Sequence, residues 1–162
     1  MKATELLALL REFYLDKLTM RQRHVAVARH MPHYDFNNTY QYVICREDVQ
    51  LNWLRDAITD MGGELEQVAE PQIPFSKGET GQAGLLTEDR DSAQAFVDKW
   101  RPRMEAMPNA RHRSLLRVIL GETLEHKRFY EQALAGRTDL LGRRADGAGT
   151  GGGVLGTRWI EQ

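Results

Sequence analysis

Three observations predict an all-α fold, a four-helix bundle built from two antiparallel helical hairpins joined by a long crossover. Four segments repeat apolar residues every three or four positions. Each half of the chain contains one short breaker turn, and about twenty residues rich in proline and glycine separate the halves. An up-down-up-down bundle would need three short turns instead. The 162 residues fit one domain, and 41% hydrophobic with 28% charged residues is the balance of a globular chain.

The first helix is predicted over residues 3–31, where Leu6, Leu7, Leu10, Phe13, Tyr14, Leu18, Val25 and Ala28 mark one inward stripe. Pro32 stops it, and Asp35 is available as the next N-cap. The second helix is expected from about Phe36 to Met61, with Tyr40, Val43, Ile44, Leu51, Leu54, Ile58 and Met61 inward and Gly62 and Gly63 at its end. Residues 64–86 hold Pro71, Pro74, Gly78, Gly81 and Gly84 without a sustained period, so they are expected to form the crossover. Thr87 then caps a third helix whose first turn carries Glu88, Asp89 and Asp91, the favourable sign at a helix N-terminus. Its stripe is Ala93, Phe96, Val97, Trp100, Met104 and Met107, and Pro102 predicts a kink or an early end. The fourth helix is expected from about Ala110 to Leu134, with Leu115, Leu116, Val118, Ile119, Leu124, Phe129, Tyr130 and Leu134 inward and Gly136 closing it. Residues 1–136 thus form the bundle, and residues 137–162 form a glycine-rich, flexible C-terminal tail.

Composition narrows the function. The formal net charge is -1, which argues against nucleic acid, because phosphate binding needs a basic excess. No apolar run is long enough for a membrane span. The start, with Glu5 and Glu12 inside it, reads as a first helix and not as a targeting segment. The single cysteine, Cys45, is expected to be a buried structural thiol in a reducing compartment, the cytoplasm.

The polar residues on the inward faces carry the candidate chemistry. In carboxylate-bridged bundles two helices each supply one Glu, and the other two each supply a Glu-x-x-His pair whose side chains leave one face. Here the second helix offers Glu47 and Gln50, and the fourth offers Glu122 and Glu125 with His126 next to them. Counting back from the turns brings Asp16, with Lys17 and Arg21, near the depth of Glu47. Two readings stay open: a metal site using Glu47, Glu122, Glu125, His126 and Asp16, or acidic groups paired with Lys17, Arg21 and Arg46. Burying carboxylates without either would cost several kcal/mol. His24 lies near the edge of the first stripe, either a satisfied core histidine or a ligand.

The stretches "REDVQLNWLRDAITDMGG" and "GETLEHKRFYEQAL" resemble the second and fourth helices of the ferritin-like superfamily, in particular its small bacterial members. The resemblance covers about residues 3–136. It implies iron or manganese held by Glu47 and Glu122, with Gln50 and Glu125 standing where the family places histidines. It therefore implies either a degenerate site with weakly bound metal or none, or a non-haem iron or manganese oxidoreductase using Glu47, Glu122 and Glu125. A homodimer is expected, with Tyr34, Phe36, Trp53 and Phe129 as its contact surface. Some ferritin-like proteins are cargo of protein shells through short C-terminal peptides, and Val154, Leu155, Trp159 and Ile160 resemble such an address to a partner or shell. Packing of Trp159 back on its own bundle is the alternative.

Overall fold

The computed structural model describes residues 1–142; the apolar residues 154–160 singled out above lie outside the described residues. Four helices follow one another: α1 (Ala3–Ala28), α2 (Tyr34–Asp60), α3 (Glu79–Glu105) and α4 (Ala110–Leu134). α1 and α2 form one antiparallel hairpin and α3 and α4 the other. Cross-hairpin contacts fix how the two combine. Going up α1, Glu12 meets Arg103, Asp16 meets Trp100 and Arg23 meets Asp89, so α1 runs antiparallel to α3. Going along α2, Tyr42 meets Phe129 and Gln50 meets Glu122, so α2 runs antiparallel to α4. α2 and α3 are therefore parallel, which requires the chain to travel the length of the bundle between them.

That passage runs beside α1. Arg11 pairs with Glu66, the Gln22 amide donates to the Val68 carbonyl at 2.6 Å, and His30 stacks on Phe75 at 4.4 Å. Its start is sharp because Gly62 has a φ of +76° and the Gly63 N–H bonds back to the Ile58 carbonyl. A Cβ at Gly63 would lie 2.6 Å from the end of the Leu7 side chain, which would have to shift to admit one.

Two apolar clusters fill the bundle ends. One joins Leu10, Phe13, Leu54, Trp100 and Leu116; the other joins Val27, Tyr40, Val43, Leu86, Phe129 and Tyr130. Leu140 closes the second cluster from beyond α4, so the chain after Gly136 still packs on the bundle as far as it is described.

Several local expectations are corrected. α3 starts at Glu79, two turns before Thr87, with Gly78 (φ +94°) as its N-cap. Gly81 belongs to the helix and not to a loop: a Cβ there would lie 1.6 Å from the Ser76 carbonyl oxygen, so only glycine lets the crossover fold onto the new helix. The added turns bury Leu85 and Leu86, which offsets the weak helix propensity of the glycines. Asp89 consequently sits well inside α3 and is buried. α2 begins at Tyr34 with His33 as N-cap, and Asp35 lies in its first turn. Pro102 is accommodated within the last turn of α3, which ends at Glu105. Cys45 is exposed, Phe129 is buried in the core, and Val118 is 48% exposed on the outer face of α4.

Candidate functional site

Between the two apolar clusters lies a layer of buried polar side chains. Lys17 and His24 come from α1, Glu47 and Gln50 from α2, Asp89 from α3, and Glu122, Thr123 and His126 from α4. Lys17 and His24 are buried because they fall on the same helix face as Leu10, Phe13 and Val27. Ions taken out of water survive only with partners, and the layer supplies them from all four helices.

His24 is its hub. Its Nδ1 donates to Glu47 Oε1 at 2.5 Å, while its Nε2 faces the Tyr130 hydroxyl at 3.2 Å and Asp89 Oδ1 at 3.8 Å. Asp89 also accepts from Arg23 Nε at 2.8 Å and from the Tyr40 hydroxyl at 2.5 Å. Burial by itself would lower the His24 pKa, but the Glu47 carboxylate beside it, by charge and by hydrogen bond, raises it above 6.5. Burial and Asp89 push both tyrosines well above 10, so their hydroxyls keep their protons.

Lys17 forms the second node. Its Nζ donates to Thr123 Oγ1 at 3.2 Å, stands 3.4 Å from Glu47 Oε2, and lies 5.2 Å from the centre of the Phe96 ring. Lys17 and Glu47 are both 0% exposed. Burial would raise the Glu47 carboxyl, yet the charges of His24 and Lys17 hold it at about 2. His126 responds in the opposite way: burial, reinforced by the Lys17 charge, depresses its imidazole to about 3, so it is neutral at physiological pH.

The edge of the layer is closed by Glu122, which accepts from the Gln50 amide and from Arg46 Nη2 at 2.6 Å. Glu125 is buried on the same helix, 3.8 Å from Arg128. Asp16 stands outside the layer, half-buried between α1 and α3, where it accepts from Lys99 at 2.6 Å and from Trp100 Nε1 at 2.8 Å.

The structure therefore brings Glu47 and His126 into one neighbourhood, places Glu122 and Glu125 toward arginines, and keeps Asp16 apart. Among the described residues no three His, Cys, Asp or Glu side chains are grouped to hold a metal ion. The donor set as folded does not fit a resident iron or manganese. The cation beside Glu47 is Lys17, and the two oxygens of Glu122 are taken by Arg46 and Gln50. Pairing of acidic groups with Lys17 and Arg46 follows the sequence expectation, whereas Arg21 pairs with Asp48 outside the layer. Sequence reasoning did not place Arg23 and Asp89 in the layer and gave His24 only an edge role. Their signal was position: Asp89 continues the Leu86, Ala93, Phe96 stripe.

A second feature lies outside. Trp53, Ala57, Leu115 and Val118 line an open groove of about 460 Å³ between α2 and α4, flanked by Asp56, Asp60 and Arg111. His112 also lines it, and burial together with Arg111 lowers its pKa.

The parallel α2 and α3, the long crossover and the polar layer at mid-height are consistent with the ferritin-like fold class. No protein-family model matches the chain, and no curated protein matches it, so the likeness rests on the fold. No helix among the described residues is long and apolar enough to cross a membrane.

Proposed function

We propose that the protein is a ferritin-like bundle, akin to the small bacterial members of that class, that works as a homodimeric interaction scaffold, its degenerate carboxylate layer being structural. The observation that carries this reading is the contrast between the layer, where Glu47, Asp89 and Glu122 each face a cation of this chain, and the outer groove, where Trp53 and Val118 stand exposed. The groove is self-complementary in charge: Asp56 and Asp60 belong to α2, and Arg111 to α4. Two copies related by a two-fold axis can set each Arg111 against the other's acidic pair, the arrangement of an isologous interface. Val154, Leu155, Trp159 and Ile160 then serve as a separate docking address for a protein partner or shell.

The rival reading, an iron or manganese oxidoreductase using Glu47, Glu122 and Glu125, would need Lys17 displaced and Arg46 withdrawn. Light scattering tests the scaffold. A dimer is expected at micromolar protein, reduced to a monomer by Trp53→Arg or Val118→Glu with the melting temperature kept, whereas a monomeric wild-type chain refutes the dimer. Truncation after Arg144 should remove partner capture without changing the melting temperature.

A further inference from the structure

α2 and α4 each present an i, i+3 pair to the layer: Glu47 with Gln50, and Thr123 with His126. This is the register of paired ligand motifs, shifted on α4 by one residue from the one that Glu122 and Glu125 would define. Three buried atoms of these pairs have no hydrogen-bond partner, namely Glu47 Oε2, Gln50 Oε1 and His126 Nε2. A carboxylate oxygen, an amide oxygen and a neutral imidazole nitrogen are all donors to divalent transition metals. Glu47 Oε2 has Lys17 as an ion-pair partner, but Gln50 Oε1 and His126 Nε2 have none, and a buried polar atom left without a partner is costly, so the coincidence in one layer needs a cause.

Lys17 supplies one. Its ammonium reaches in from α1 between the two pairs, 3.4 Å from Glu47 Oε2 and 3.2 Å from Thr123 Oγ1, with the face of Phe96 behind it. Both the Lys17 ammonium and the Glu47 carboxylate are near enough to act on the His126 ring. We propose that Lys17 is the built-in cation of this layer, occupying the electrostatic position of a metal ion and shutting a latent divalent-cation site formed by Glu47, Gln50, Thr123 and His126. A divalent ion entering beside Lys17 and His24 would meet like charges with only Glu47 to offset them. An acidic side chain at position 17 reverses that balance and restores a second carboxylate. The inference rests on the structural reading of the layer and is independent of the dimer surface.

Co²⁺ is the probe, read by its visible absorption and by titration calorimetry on the full chain. The wild type and Lys17→Arg are expected to show no coordinated Co²⁺, and the melting temperature of the wild type should be unchanged by Co²⁺ or by a chelator. Lys17→Glu should bind one Co²⁺ per chain, and adding His126→Ala to it should cost at least the roughly tenfold in affinity expected from disturbing a ligand set. Should Lys17→Glu not fold, Lys17→Gln, which removes the charge at nearly constant shape, is expected to bind Co²⁺ where the wild type does not. Tight Co²⁺ binding by the wild type would overturn both this inference and the structural reading of the layer. A folded Lys17→Glu, or failing that a folded Lys17→Gln, that binds no more Co²⁺ than the wild type would overturn the inference alone.

Discussion

Two sets of ion pairs, one on the outer α1–α3 face and one inside the bundle, carry different energetic weight. On the outer α1–α3 face Arg103 grips Glu12 through two bonds of 2.8 Å, and Lys99 bridges Glu12 and Asp16. In the interior Lys17 and Glu47 stand 3.4 Å apart. Both Glu12 and Glu47 are held at about 2, but for different reasons. Glu12 is pulled down chiefly by its hydrogen bond to Arg103 in near-solvent surroundings, where screening discounts the effect. Glu47 is pushed up by burial and pulled down harder by His24 and Lys17, so its low value is the difference of two large opposed effects. Bond length ranks the outer pair first; burial ranks the inner pair first, because removing one partner there strands an unmatched charge.

Substitutions can break that comparison. The largest effect is expected from Glu47→Gln, which leaves Lys17 without its carboxylate and His24 with only Asp89 at 3.8 Å; denaturant melts should show a loss of about 3 to 5 kcal/mol. A loss within the range of surface pairs would show that the interior relaxes or admits water. Next, Lys17→Met combined with Glu47→Leu should be less destabilising than the two single losses added together, by about 1 kcal/mol or more, since neither member of the pair is left facing a lost partner, while the loss of the His24 partner is common to both the single and the double change. Strict additivity in that cycle would mean that the two side chains do not interact.

Acid unfolding sharpens the same point. His126 titrates at about 3 in the fold against an ordinary 6.5, so as pH falls below 6.5 the unfolded chain takes up a proton that the folded one refuses, and stability declines. Glu47, at about 2 against an ordinary 4.5, contributes stability above 4.5 that is lost as pH falls toward 2. His24 works on the alkaline side: its raised pKa gives stability that is present below 6.5 and lost as pH rises through the folded value. Melting temperature against pH should therefore peak near neutrality, and His126→Gln should flatten the limb between 6.5 and 3; an unchanged limb would place the acid sensitivity elsewhere. The smallest effect belongs to the outer ladder. Glu12→Gln should cost no more than about 1 kcal/mol, and added salt should reduce even that.

Most of the fold was legible because it is written in local periodicity. The bounds of α4 agree with the expectation residue for residue, and the buried stripe of α2 from Tyr40 to Ile58 is the one its spacing predicts. The start of α3 was not legible. Gly81 and Gly84 carry a breaker signal in any sequence, and what requires glycine at position 81 of this helix is the close approach of the Ser76 carbonyl from the crossover, a contact local pattern does not encode. That error hid Asp89, which looked like a first-turn acid when it is a buried partner of Arg23 and Tyr40. Glu47 and Glu122 were found because acids on an inward face stand out. Lys17 was named only as a potential partner, since a lysine on an apolar stripe becomes an interior ion or a solvated one according to what the other helices bring to it.

Leu10, Lys17 and His24 recur on α1 at seven-residue steps, so sliding α1 by two turns would replace one of them with the next opposite Glu47. Aliphatic layers tolerate such slips, because one leucine fills another's place with little change. A slip that set His24 in the place of Lys17 would move Lys17 into the place of Leu10, driving its ammonium among Leu54, Trp100 and Leu116. The ionic layer thus acts as an alignment key, singling out one mutual offset among several that would bury nearly the same apolar area, as a single polar position does in a coiled coil. Lys17→Met with Glu47→Leu should then keep its helix content by circular dichroism while its amide NMR spectrum shows more than one set of resonances; a single sharp set would mean that the apolar ends choose the offset unaided.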